Sequence, residues 1–171
     1  MASIIKATKE DLALIADIGK RTFLASHGHS APPEDITRYV EEKFSEETLR
    51  TELSDTNNIF HLIYHDQRPA GYSKIILNAS HPAIQLKNVT KLERLYLLQD
   101  FYNLKLGYGL YQFNVDLSRK SNQAGMWLFV WKENHRAIDF YMRAGFEPIG
   151  SYDFQISPAH ANPNHHMFLR Y

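Results

Sequence analysis

The sequence predicts a single α/β domain (α+β) over residues 1–171, with about seven strands and intervening helices in the order βααα-ββ-β-α-β-α-ββ. Three observations carry that expectation. The length of 171 residues suits one domain with a proper core. Apolar residues make up 44% and charged residues 22%, a balance that folds rather than one that stays disordered. Apolar spacing switches between strand and helix periods, with turn residues at the switches and no repeat, low-complexity stretch or linker.

Ser3–Ala7 reads as a strand. Thr8 stands where an N-cap belongs, Asp11 completes a capping box, and Leu12, Ile15, Ile18, Thr22 and Phe23 keep a helical period to Ala25. Ser26–Pro33 is a loop; Glu34–Phe44 is a second helix; Ser45 caps a short third through Leu49 and Leu53. Ile59–Tyr64, a turn at Asp66–Pro69 and Ala70–Leu77 form a hairpin, and Asn78–Asn88 is loop. Leu92–Leu98 is the most strand-like stretch. Leu106, Leu110, Phe113 and Leu117 mark a helix, Trp127–Val130 a buried strand, and Asn134–Ala144 a helix. Phe146–Gln155 and His166–Tyr171 close the chain as strands.

Composition excludes several classes. Nineteen Lys and Arg balance 19 Asp and Glu, so no global field draws nucleic acid or anionic lipid. Cysteine is absent, which removes disulfides, thiolate metal sites and a cysteine nucleophile. No apolar run approaches the roughly 18 residues of a membrane helix. Met1–Thr8 has neither a basic region nor a long apolar core, so a cytoplasmic location is the simplest expectation.

Trp131–Phe146 carries the most information. Asn134 sits at an N-cap, Gly145 at the C′ position where glycine turns left-handed at little cost, and Phe146 makes the contact that follows. Ile138, Tyr141 and Met142 are expected to share a face. The full string Asn-x-x-Ala-x-x-Phe-Tyr-x-x-x-Gly-Phe, directly after a strand ending in tryptophan, resembles the signature of the GNAT N-acetyltransferase superfamily. The match is ungapped at Asn134, Ala137, Phe140, Tyr141, Gly145 and Phe146. The resemblance implies acetyl-CoA as cosubstrate and a mostly antiparallel sheet of about seven strands with strands four and five splayed. It further implies that Asn134 bonds pantetheine and that Tyr141 protonates the departing thiolate. A phenol suits that task, because a thiol of pKa near 8.5 accepts its proton at neutral pH.

The same family places a diphosphate loop after its fourth strand, patterned Gln/Arg-x-x-Gly-x-Gly/Ala, where helix N-terminal amides cradle the anion. Here the segment is Tyr102-Asn103-Leu104-Lys105-Leu106-Gly107-Tyr108-Gly109. The ungapped register puts Tyr102, Lys105 and Gly107 at the three motif positions; a shifted one starts at Leu104 and uses Gly107 and Gly109. The first keeps the usual strand-to-loop length, and Lys105 then offers an ammonium where the family has glycine. By resemblance, Asn103 to Gly109 bind the diphosphate, and Leu97 and Leu98 contact pantetheine through their main chain. The Leu97 amide is the implied oxyanion donor.

An attacking amine must shed a proton, and Glu93, on the strand beside the splay, is the candidate base. Its alternative is a surface pair with Arg94. Tyr39, Glu34, Asp35, Glu41 and Glu42 lie in the segment expected to line the acceptor pocket. Those carboxylates suit a polyamine, and the chain looks loosely like the bacterial spermidine/spermine acetyltransferase branch; a peptide amine is the other acceptor class. Nine histidines raise a metal site, but neither His27/His29 nor His165/His166 has ligand spacing, so no metal is expected. No nucleic-acid or membrane partner is expected, and a homodimer is compatible with the sequence. The competing reading is a non-catalytic acyl-CoA-binding module of the same fold. An unrelated nucleotide-binding fold is disfavoured because no Gly-x-Gly-x-x-Gly or Walker loop follows an early strand.

Overall fold

The computed structural model describes all residues, Met1–Tyr171. Its strands are β1 (Ala2–Lys6), β2 (Asn58–His65), β3 (Arg68–Ile76), β4 (Thr90–Leu97), β5 (Gly125–Trp131), β6 (Glu147–Ser157) and β7 (His160–Arg170). Its helices are α1 (Leu12–His27), α2 (Pro33–Lys43), α3 (Glu46–Ser54), α4 (Leu106–Lys120) and α5 (His135–Arg143). One seven-stranded sheet runs β1-β2-β3-β4-β5-β7-β6, and every neighbouring pair is antiparallel except β4–β5. The element order is the expected one.

Strand ends mostly shift by one or two residues from the sequence reading, and two of the differences have a clear physical cause. Asp66 and Gln67 both take positive φ (48° and 65°), closing a two-residue hairpin, so β3 starts at Arg68 and carries Pro69 within it. β7 starts six residues before His166, despite Pro163. The Pro163 carbonyl accepts from the Lys132 amide just past the end of β5, so the missing proline N–H falls where the ladder is already finishing.

The two faces of the sheet are covered by different helices. Ser73 bonds Asn114 of α4, Nδ2 to Oγ 2.9 Å. Tyr72, one residue earlier and so on the opposite face, lies against α1, where a Cβ on Gly19 would sit 2.9 Å from its hydroxyl. Tyr96 pairs with Tyr72 and meets Phe44 at the end of α2. Helices α1, α2 and α3 therefore share one face, and α4 and α5 the other.

The core stripe of α4 is rotated from the one expected. Phe113 is 37% exposed, while Leu106, Leu110, Tyr111, Asn114, Val115 and Ser118 are buried. Asn114 and Ser118 are admitted because they are bonded: Asn114 to Ser73, and Ser118 to both Thr90 (2.7 Å) and Tyr171 (2.7 Å). In α5, Ile138 and Tyr141 pack inward as expected, whereas Met142 faces out.

Two irregularities in β4 shape what lies beside it. Its parallel pairing with β5 consists of Thr90↔Met126 and Lys91↔Trp127 alone, although β4 continues to Leu97 and β5 to Trp131. The strands splay. Against β3 the register slips between Lys74↔Arg94 and Ile75↔Leu92, leaving Glu93 as an unpaired bulge residue that turns to the same face as Arg94.

Candidate active site

The signature segment folds as its residue types dictate. Asn134 caps α5, its Oδ1 accepting from the Ala137 amide at 3.3 Å, which leaves its Nδ2 hydrogens for another acceptor. Gly145 takes φ 97° after the last turn, and the Phe146 amide bonds back to the Tyr141 carbonyl at 3.0 Å. Tyr141 is half-buried, edge-on to Phe140 (5.3 Å) and Phe146 (5.5 Å). Burial, then the neighbouring Tyr96 and Tyr111 phenols, push its hydroxyl above the usual tyrosine range. It stays a proton donor at any physiological pH.

The turn into α4 is left-handed at two non-glycine residues, Asn103 (φ 65°) and Lys105 (φ 59°). Lys105 is the N-cap and gives no side-chain cap. The Gly109 amide reaches the Lys105 carbonyl at 3.1 Å, so the Leu106, Gly107 and Tyr108 amides precede the first intrahelical bond. A Cβ on Gly107 or Gly109 would meet nothing within 4 Å, so the helix entry opens onto free space. The Leu106 side chain is buried, whereas Asn103, Leu104, Lys105 and Tyr108 are exposed. Free amides, a helix dipole and an exposed lysine fit the diphosphate of coenzyme A.

The two segments meet. The Arg136 guanidinium, in the first turn of α5, lies 3.6 Å from the centroid of the Tyr102 ring. Deeper in, the Tyr111 hydroxyl reaches the Ala144 carbonyl (3.5 Å) and its ring meets Phe140 at 5.8 Å. Arg136 was not singled out from the sequence, because it occupies a variable position of the signature string.

Between them runs the β4/β5 splay. The Leu98 amide bonds the Ala70 carbonyl of β3 at 2.8 Å, so the Leu98 N–H is not available to a ligand. Strand alternation then points the Leu97 amide the other way, toward the gap β5 has vacated. Tyr96, half-buried on the α1/α2 face, is a second residue the sequence did not flag; burial raises its pKa to about 12.

Glu93 sits in a chain of alternating charge. Arg94 grips Glu52 through two bonds (2.9 and 3.0 Å), Lys74 contacts Glu52 (3.0 Å) and Glu93, and Lys91 contacts Glu93 at 3.4 Å. The alternative for Glu93, a surface pair with Arg94, does not form: Arg94 is buried and bonds Glu52 of α3. Burial alone would raise the Glu93 pKa, but Lys74, Lys91 and Arg94 outweigh it and hold it at about 2. Such a carboxylate is too weak a base to take an ammonium proton directly.

On the α1/α2 face, Tyr39 stacks on Phe23 (4.8 Å) and stands edge-on to Phe154 (6.0 Å). Glu34, Glu41 and Glu42 are exposed on the outside of α2, and Asp35 is tied to Ser157 (2.9 Å) and Arg38. The carboxylates expected to line an acceptor pocket thus do not converge. His27 and His29 flank Trp131 at 5.2 and 5.5 Å. No group of three or more His, Asp or Glu stands ready to hold a metal ion, and no helix is long and apolar enough to cross a membrane. Two surface depressions, one near Ile84 and Phe168 and one at the N-terminus, lie away from the α4–α5 junction.

Residues 22–146 match the acetyltransferase (GNAT) family. The chain belongs to that family. It is an acyl-CoA-dependent acetyltransferase, with the GNAT fold and acetyl-CoA as cosubstrate. An uncharacterized N-acetyltransferase from the pepI 3′ region of Lactobacillus delbrueckii subsp. lactis is 27% identical over 151 residues, 88% of this chain and 87% of that one. The spermidine N(1)-acetyltransferase of Thermoplasma acidophilum is 24% identical over 148 residues, covering 84% of this chain and 87% of its own. Among solved structures, the PaiA N-acetyltransferase of the same organism in complex with coenzyme A superposes with a TM-score of 0.79 at 21% identity, covering 100% of this chain and 99% of that one.

Proposed function

We propose that the protein moves the acetyl group of acetyl-CoA onto a primary amine of a small molecule, by direct attack through a tetrahedral intermediate. The observation that carries this reading is the convergence of the α4 entry and α5, joined at Tyr102 and Arg136, beside the gap between β4 and β5. The amides of residues 106–108, with Asn103, Lys105 and Gly109 around them, hold the diphosphate, and Leu104 lines the loop. Asn134 Nδ2 and the main chain near Leu97 bind pantetheine, and the Leu97 amide donates to the thioester oxygen as charge develops there. Tyr141 donates its proton to the leaving thiolate, and the amine's proton leaves through water. Glu93 orients that water and does not itself hold the proton, given its depressed pKa.

The name of the Thermoplasma relative puts a polyamine in the acceptor panel, although the α2 carboxylates that would have favoured one are turned outward. The test is release of free coenzyme A from acetyl-CoA, read with a thiol reagent, across monoamines, diamines, amino acids and short peptides. Turnover with one acceptor class supports an enzyme. Binding of acetyl-CoA with no release for any amine would instead favour a non-catalytic acyl-CoA-binding module.

A further inference from the structure

Along the α1/α2 face, the side chains of β4, β5 and β7 form one continuous floor. Lys91 pairs with Trp127 across β4–β5; Trp127, Phe129 and Trp131 of β5 pair with Phe168, His166 and Asn164 of β7. Paired residues share a face, so all seven lie on the side where His27 and His29 meet Trp131. Two polar atoms on this floor have no protein partner although their residues are nearly inaccessible: His166 Nε2, in a residue 3% exposed, and Asn164 Oδ1, in a residue 6% exposed. A buried polar atom left unpaired is costly, and these two stand on one face of β7, two residues apart, where a single ligand would pair both.

The charges beside them are unbalanced. The chain Arg94–Glu52–Lys74–Glu93–Lys91 holds three cations and two carboxylates, a surplus of one positive charge. Arg94 has the better-bonded end. Lys91, at the other end, has one partner at 3.4 Å and otherwise faces the Trp127 and Phe129 rings, 5.2 and 5.5 Å away. An anion beside Lys91 would continue the alternation and balance that surplus. The other titratable groups on this floor supply no carboxylate: His81 stands 4.2 Å from His166 with its Nδ1 accepting from the Ala83 amide, Tyr152 stacks on Phe129 at 4.2 Å, and His27 and His29 lie at Trp131.

We propose that Lys91 and His166 bind a carboxylate at the far end of the acceptor, with Asn164 Oδ1 accepting an N–H of the amine itself. The acceptor is then an elongated amino carboxylate and not a polycation. Its length follows from the strand. The Lys91 ammonium lies beside Glu93, and from Glu93 to Tyr96, level with the proposed thioester, is roughly 10 Å at the rise of a strand. An α-amino acid is too short to span that; an amine and carboxylate separated by about five methylenes is not.

This inference rests on the acetyl-transfer reading for its role, though not for its binding site. Three amines of equal length separate the possibilities: 6-aminohexanoate, hexylamine and 1,6-diaminohexane. The expected order of kcat/KM in coenzyme A release is carboxylate first, by about tenfold over hexylamine, with the diamine last. In Lys91→Met, which keeps the stem over Trp127, the ratio of 6-aminohexanoate to hexylamine should fall about tenfold, mostly through KM. A diamine that outranks the carboxylate, or a ratio unmoved by Lys91→Met, overturns the subsite. The second readout needs no turnover: NMR of the His166 ring in the coenzyme A-loaded wild type, titrated with each amine. Only 6-aminohexanoate should shift it and raise its pKa. A shift without acetylation of any amine would keep the subsite and refute the transfer reading; no shift would refute the subsite whatever the turnover.

Discussion

The Arg136 guanidinium stacks on the Tyr102 ring at 3.6 Å, joining the first turn of α5 to the loop that enters α4. Two helix N-termini are thereby held side by side, with one exposed cation between them. Replacing Arg136 with Ala removes both the stack and that cation. Coenzyme A affinity should fall about tenfold, with the loss growing smaller at high salt. Titration calorimetry at two ionic strengths checks this; an unchanged Kd would remove Arg136 from the diphosphate site.

Tyr141 is expected to act on the leaving group and not on binding. In Tyr141→Phe, kcat should drop by about 100-fold while the Kd for coenzyme A stays within about twofold. Steady-state rates with the best acceptor and calorimetry on the same sample separate the two. Equal rates in both proteins would show that the thiolate leaves without its help.

Lys105 holds a left-handed φ of 59° where the family motif has glycine. A non-glycine residue there is strained by about 1 kcal/mol. Lys105→Gly should therefore raise the unfolding free energy by about 1 kcal/mol, read as a higher urea midpoint, whereas Lys105→Ala should leave the midpoint unmoved. If both substitutions act alike, the strain is not in the backbone.

Three histidines couple stability to pH. Burial lowers His27, His61 and His166 from 6.5 to about 4, helped by His29, Lys6 and His81 respectively. Each has a depressed folded pKa, so the unfolded chain binds more protons between the two values. Their contribution is present above pH 6.5 and is lost as pH falls toward 4. Urea midpoints across that range should decline steadily, and His61→Gln, far from the proposed site, should flatten part of the slope.

Local chemistry was legible in the chain because it depends on neighbours in sequence. The Thr8 capping box, the Asn134 cap and the left-handed Gly145 all arise from residues within four positions of one another. What periodicity misread was any position where a distant partner changes the cost of burial. Asn114 and Ser118 enter the core because Ser73, Thr90 and Tyr171 bond them, and no helical spacing announces that.

By itself the sequence determined the order of elements and the family signature, since both are written in short-range pattern. Only the tertiary structure decided the rest. It turned Glu34, Glu41 and Glu42 outward, enclosed Glu93 between lysines, brought Arg136 onto Tyr102 and left His166 and Asn164 unpartnered on one face of the sheet. The physical reason is that a charge or hydrogen-bonding group takes its energy from what stands within a few ångströms, and those neighbours come from strands far apart along the chain.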